Sequence, residues 1–143
     1  MNKTTTQLHS VQNITSAFAI EALKAAFNEA QRIGINISVA VVDLSLNLVA
    51  FSRGDGATPH SAETSRRKAN TAASTGKATG WMEKELAQTL PMASGNILTN
   101  IPGGVPLRFS GVLGGGLGIA GGTIEQDNAV AQATLVAIGA DTI

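Results

Sequence analysis

The sequence predicts an α+β domain in which helices flank an antiparallel sheet. Three observations carry this. Helical and extended patterns follow one another in the order α-β-β-α-α-β-β-α. The strands come in pairs joined by turns too short for the crossover that parallel strands need. Glycine crowds one predicted strand while alanine crowds one predicted helix, as two backbones in close approach require.

The elements follow in order. Residues 1–13 are polar and read as a flexible tail, and residues 14–143 as a single domain. From Ser16 to Ile33, Phe18, Ile20, Leu23, Ala26, Phe27, Ala30 and Ile33 fill an apolar face at helical spacing. Thr15 or Ser16 caps its start and Gly34 its end. INISVAVVD, residues 35–43, is β-branched and reads as a strand, with Ile35, Ile37, Val39 and Val41 on one face. A turn over Asp43–Asn47 returns the chain into NLVAFSR. After the loop GDGATP, His60 and Ser61 open a helix that runs to Thr75, with Ser61 as its N-cap and Gly76 as its stop. A shorter helix is expected over 80–90, stopped by Pro91, and a short strand near Ile97–Leu98 is an option. VPLRF and VLGGGLGIA read as a hairpin turning at Ser110-Gly111, and Pro106 places the first of them at a sheet edge. The last segment is a helix whose Thr123 and Gln126 form a capping box, ending near Gly139.

Composition removes several function classes. Net charge is zero and only 14% of residues are charged. A nucleic-acid binder should show a basic excess, and a weakly charged surface suits burial in an oligomer. Cysteine is absent and there are two histidines, so disulfides, thiolate chemistry and a His/Cys metal site are excluded. No apolar run reaches the ~20 residues of a membrane span. With no apolar leader at the N-terminus, the expected compartment is the cytoplasm.

GLGIAG, residues 116–121, matches the dinucleotide fingerprint G-x-G-x-x-G, but it lies in a segment with nine glycines in twenty residues, 103–122. A nucleotide-binding unit needs a second strand ending in an acidic residue after the helix. Here Asp141 follows the last helix directly. The better reading is structural. Positions 112, 114, 116, 118 and 120 form a nearly bare strand face, open to the alanine-rich side of helix 61–75 or to a neighbouring subunit.

VAVVD (39–43), LVAFSRGDGA (48–57), RKANTA (67–72), IPGGVPL (101–107) and GLGIAGGTIEQD (116–127) occur in that order in the GlcG/HbpS-like family, which this chain resembles over roughly residues 14–139. The resemblance implies a profilin-like antiparallel sheet flanked by helices, homo-oligomers up to octamers, and haem binding in several members. Two positions depart from the family. The first hairpin has DLSLN in place of Asp-x-x-Gly, with Asn47 able to take the left-handed position, and Gly54 stands where Met is common.

The resemblance places His60 near the ligand site. Its roles there are haem-iron ligand or general base, and the alternative is a solvent-facing histidine at a helix start. Lys68, with Arg53, suits a carboxylate or a haem propionate; the alternative is an ion pair with Asp43, Asp55 or Glu63. Asp55 and Glu63 complete the candidate ligand set. Gly103 and Gly104 offer backbone N–H groups to an anion, or simply a tight turn. Asp127 reads as a helix-start residue. The expected function is an oligomeric small-molecule binder whose ligand is haem, a related tetrapyrrole or a small carboxylate metabolite. A small enzyme acting on a hydroxy- or oxo-acid, and a structural partner in a metabolic operon, stay open beside it.

Overall fold

Alternation along the second predicted element sorts its side chains onto two faces, and the computed structural model, which describes residues 5–143, packs both. The elements are α1 (Ser16–Ile33), β1 (Ser38–Val42), β2 (Leu48–Arg53), α2 (Ser61–Thr75), α3 (Lys84–Ala93), β3 (Gly104–Phe109), β4 (Val112–Ala120) and α4 (Ile124–Ala137). The four strands make one antiparallel sheet in the order β2-β1-β4-β3. Ile37, Val39 and Val41 join Val105, Leu107, Leu117 and Ile119 in the larger core, under the alanines of α1 and under Val130 and Leu135 of α4. Ala40 and Val42 face the other way, onto Ala69 and Ala73 of α2. The architecture is therefore α1 and α4 on one face, the sheet, and α2 on the other.

The contact between α2 and β4 explains the glycines. A Cβ on Gly118 would collide with the Ser65 carbonyl oxygen, and one on Gly116 with that of Ala69, so the helix backbone lies directly on the strand. Gly116 and Gly118 sit within the ladder, opposite Val42 and Ala40 on one side and Pro106 and Gly104 on the other. The fingerprint is thus strand rather than phosphate loop.

Caps and turns follow the residue chemistry in most places. Thr15 Oγ1 accepts from Phe18 N, and Thr123 and Gln126 close a full capping box. Ser110 and Gly111 both hold positive φ, the hairpin turn that matches strand twist. The Asp141 carboxylate accepts the N–H groups of both, Ser110 at 3.1 Å and Gly111 at 2.7 Å.

Five local expectations are corrected. The first strand spans 38–42 rather than 35–43, because Ile35 N bonds back to Ala30 O at the end of α1. In the first turn Leu46, not Asn47, takes the left-handed conformation. Asp43 accepts from Ser45 N and Asn47 N, and Leu46 packs beside Ala69 and Ala73, which offsets the strain. Ser61 is not an N-cap: His60 holds that position without a side-chain cap bond, and Ser61 Oγ donates to Thr58 O. The short helix begins at Lys84, capped by the Glu83 carboxylate, and carries Pro91 inside its last turn. Met82 N is bonded to Asn100 Oδ1, which keeps the preceding residues out of the helix. No strand forms at 97–98, since α2 side chains take that backbone: Asn70 Nδ2 donates to Ile97 O and Thr99 N donates to Thr71 Oγ1.

Residues 5–13 form neither helix nor strand. At the end of this segment Asn13 Oδ1 accepts from Leu44 N, and Ile14 N donates to Gly114 O, tying the approach to α1 onto β4. Residues 1–4 of the expected tail lie outside the described residues.

Candidate functional site

Residues three and seven apart on a helix share a face. Ser61, Thr64 and Lys68 do so on α2, and their shared face forms one wall of a cleft of about 320 Å3. The corner between β4 and α4 forms the facing wall, through Ala120, Gly121, Gly122, Ile124 and Asp127; Ile101 and Thr58 complete the sides. Its mouth opens to solvent at His60, an exposed residue on the rim.

A chain of buried hydroxyls fixes the His60 end of α2. Ser61 Oγ gives its proton to Thr58 O at 2.6 Å, so it accepts from Ser38 Oγ at 2.8 Å. The start of α2 is thereby tied to the start of β1, and the residue before Ser61 is held at the cleft mouth.

At the inner end lies Lys68, only 1% exposed. Its Nζ donates to Asp127 Oδ2 at 2.9 Å and to Ile119 O at 2.7 Å. Asp127 Oδ1 in turn accepts from Gly122 N at 2.8 Å. One ammonium thus clamps both sides of the β4–α4 corner. Desolvation holds the Lys68 pKa below its ordinary value, and the charge and hydrogen bond of Asp127 offset part of that effect.

The structure gathers part of the expected set. His60 and Lys68 border one cleft, 60–68 being two turns of one helix. Arg53, Asp55 and Glu63 are not among its lining residues. Asp55 borders a separate depression with Asn36 and Phe27, and Glu63 pairs with Arg67 at 3.1 Å on the outer surface. The ion-pair partner of Lys68 is Asp127, none of the three carboxylates considered from sequence. Gly103 and Gly104 pack against Lys68 instead of facing the cleft: a Cβ on Gly103 would sit 2.9 Å from Lys68 Nζ, and one on Gly104 would strike the Lys68 carbonyl. Gly104 N is spent on Thr79 Oγ1. The pair makes room for the lysine. Asp127, Thr64 and the Gly121–Gly122 corner are the site residues that sequence reasoning missed. The available signal was the polar run Ser61, Thr64, Lys68 along an otherwise alanine-rich helix.

The donor set bears on which ligand fits. Among the described residues no three His, Asp or Glu side chains cluster to hold a bare metal ion. One imidazole at an open mouth, with Ile101, Ala120 and Ile124 as apolar walls, suits the edge of a planar macrocycle whose metal needs a single protein nitrogen. Among the described residues no helix is long and apolar enough to cross a membrane.

Comparison with known proteins agrees with the fold and narrows the family. A family model described as "Haem degrading protein HbpS-like" matches residues 14–136. Protein GlcG of Escherichia coli is 32% identical over 108 residues, covering 75% of this chain and 81% of that protein. The crystal structure of Klebsiella pneumoniae protein ORFY superposes with a TM-score of 0.87 at 28% identity, over 97% of this chain and 99% of that one. A crystal structure of a PduOC:heme complex superposes with a TM-score of 0.82 at 29% identity, over 91% of this chain and 98% of that one.

Proposed function

Because the chain belongs to the HbpS-like family, we propose that its cleft binds haem or a related tetrapyrrole with His60 as the iron ligand, in a homo-oligomer of this chain. The observation that carries the reading is the position of His60, a solvent-reachable imidazole at the mouth of a cleft whose lining includes Ile101, Ala120 and Ile124. That a structural relative is a haem complex supports it. Haem bound there supplies an iron centre and a flat apolar ring. His60 would offer the ligating nitrogen, and Ile101 and Ile124 would supply apolar contact to the ring. Lys68 is committed to Asp127 and Ile119, so it shapes the inner wall before it contacts a propionate. A net charge of zero with only 14% charged residues supports self-association.

The cleft volume favours a second reading. About 320 Å3 lies at the small end of ligand pockets and suits a small carboxylate metabolite. Titration of the protein with haemin separates the two. Haem binding predicts a Soret shift that saturates at micromolar haemin and is lost in His60→Ala. No shift in the wild type, with small carboxylates raising the melting temperature, would favour the second reading.

A further inference from the structure

We propose that Lys68 is an imine-forming amine, and that the cleft admits a small aldehyde or ketone which condenses with it. Lys68 is unlike the other lysines in the described part of the chain. Lys24, Lys77 and Lys84 are exposed, whereas Lys68 is buried at the inner end of a cleft open to solvent. Helical side chains lean toward the N-terminus, so the Lys68 stem runs from its backbone toward Thr64 and His60, along the cleft wall. An ammonium has three N–H donors. Two are used, by Asp127 and Ile119. The third has no hydrogen-bond partner among the described residues.

The ion pair alone does not account for this arrangement. A buried pair is weak evidence for stability, because well-packed apolar residues of similar volume often do as well. Here the pair also stands in the lining of a cavity, with space made for Nζ by Gly103. Asp127 is a proton carrier 2.9 Å from the nitrogen. Burial lowers the lysine pKa, which makes the neutral, nucleophilic amine easier to reach.

The chemistry balances with these groups. Asp127 takes one proton from the Lys68 ammonium. The amine lone pair forms a C–N bond to the carbonyl carbon as the C=O π pair moves to oxygen. That oxygen takes a proton from the nitrogen, giving a neutral carbinolamine. Asp127 returns its proton to the hydroxyl, which leaves as water while the nitrogen lone pair forms C=N. The product is a protonated imine beside an ionised Asp127. One water is released and nothing is oxidised or reduced.

Borohydride trapping tests this on the wild-type protein. Pyruvate serves as the carbonyl probe, and peptide mapping by mass spectrometry locates the reduced adduct. Labelling of Lys68 in preference to the exposed Lys24, Lys77 and Lys84 is expected. Asp127→Asn should slow labelling of Lys68 while leaving the exposed lysines unchanged. Label spread over the exposed lysines with Lys68 unmodified overturns the proposal, whether or not any variant folds. Haemin binding is read separately, by the Soret band, so either result can fail without the other.

Discussion

Lys68 Nζ stands 2.9 Å from Asp127 Oδ2 in the interior, joining residues 59 positions apart in the chain. With its bond to Ile119 O, this contact ties the middle of α2 to the end of β4 and the first turn of α4. The β4–α4 corner, and with it one wall of the cleft, is set by the pair. Asp127→Ala strips the lysine of its counter-charge inside the protein. Loss of one partner of a buried pair costs about 3–5 kcal/mol, and urea unfolding monitored by circular dichroism should show it.

The pH dependence follows from the same lysine. Its pKa is lowered from 10.5 on folding, so the unfolded chain binds more protons in the window below 10.5. Stability therefore rises with pH across that window as the native lysine gives up its proton first. A Lys68→Met, Asp127→Leu double variant removes this contribution. The wild type should gain unfolding free energy relative to it between neutral pH and about pH 10. A flat difference would mean that the ammonium is not destabilised by burial.

Gly118 and Gly116 predict folding defects rather than ligand defects. A valine at Gly118 meets the Ser65 carbonyl, and one at Gly116 meets that of Ala69; both are helix backbone that cannot rotate away. Overpacking of this kind costs about 1–3 kcal/mol or more. Lower expression or a lower melting temperature in Gly118→Val is the expected outcome.

Asp141 has a smaller, local role. Its carboxylate holds both N–H groups of the β3–β4 turn. At this half-buried site Asp141→Ala should cost about 1 kcal/mol in urea unfolding, with the fold otherwise kept.

Much of this architecture was legible from local sequence. Thr15, Thr123 and Gln126 cap helices through bonds spanning three residues, and Pro106 sits on an edge strand because it lacks an N–H. Of the bare face expected over 112–120, Gly116 and Gly118 lie against α2, whereas Gly114 lies against residues 12–14, at the register shift in the β3–β4 ladder. What was not legible depends on contacts distant in sequence. Asp127 reads as a helix-start acid until α2 brings Lys68 beside it. The loop at 97–99 looks extended, yet Asn70 and Thr71 take its backbone bonds. Leu46 adopts a left-handed conformation that its residue type disfavours, in a turn that packs it against the cluster of Ala40, Val42, Ala69 and Ala73. His60 and Lys68 were singled out through the family resemblance, and the helix that begins after His60 brings both to the lining of one cleft. Arg53, Asp55 and Glu63 were near in sequence but lie outside the lining of that cleft.

The haem reading is tested most directly by a crystal structure of the protein soaked or co-crystallised with haemin. The account predicts iron bonded to the His60 imidazole, with the ring edge against Gly121–Gly122 and Ile124. Haem bound at another surface, with His60 free and the cleft empty, would contradict it.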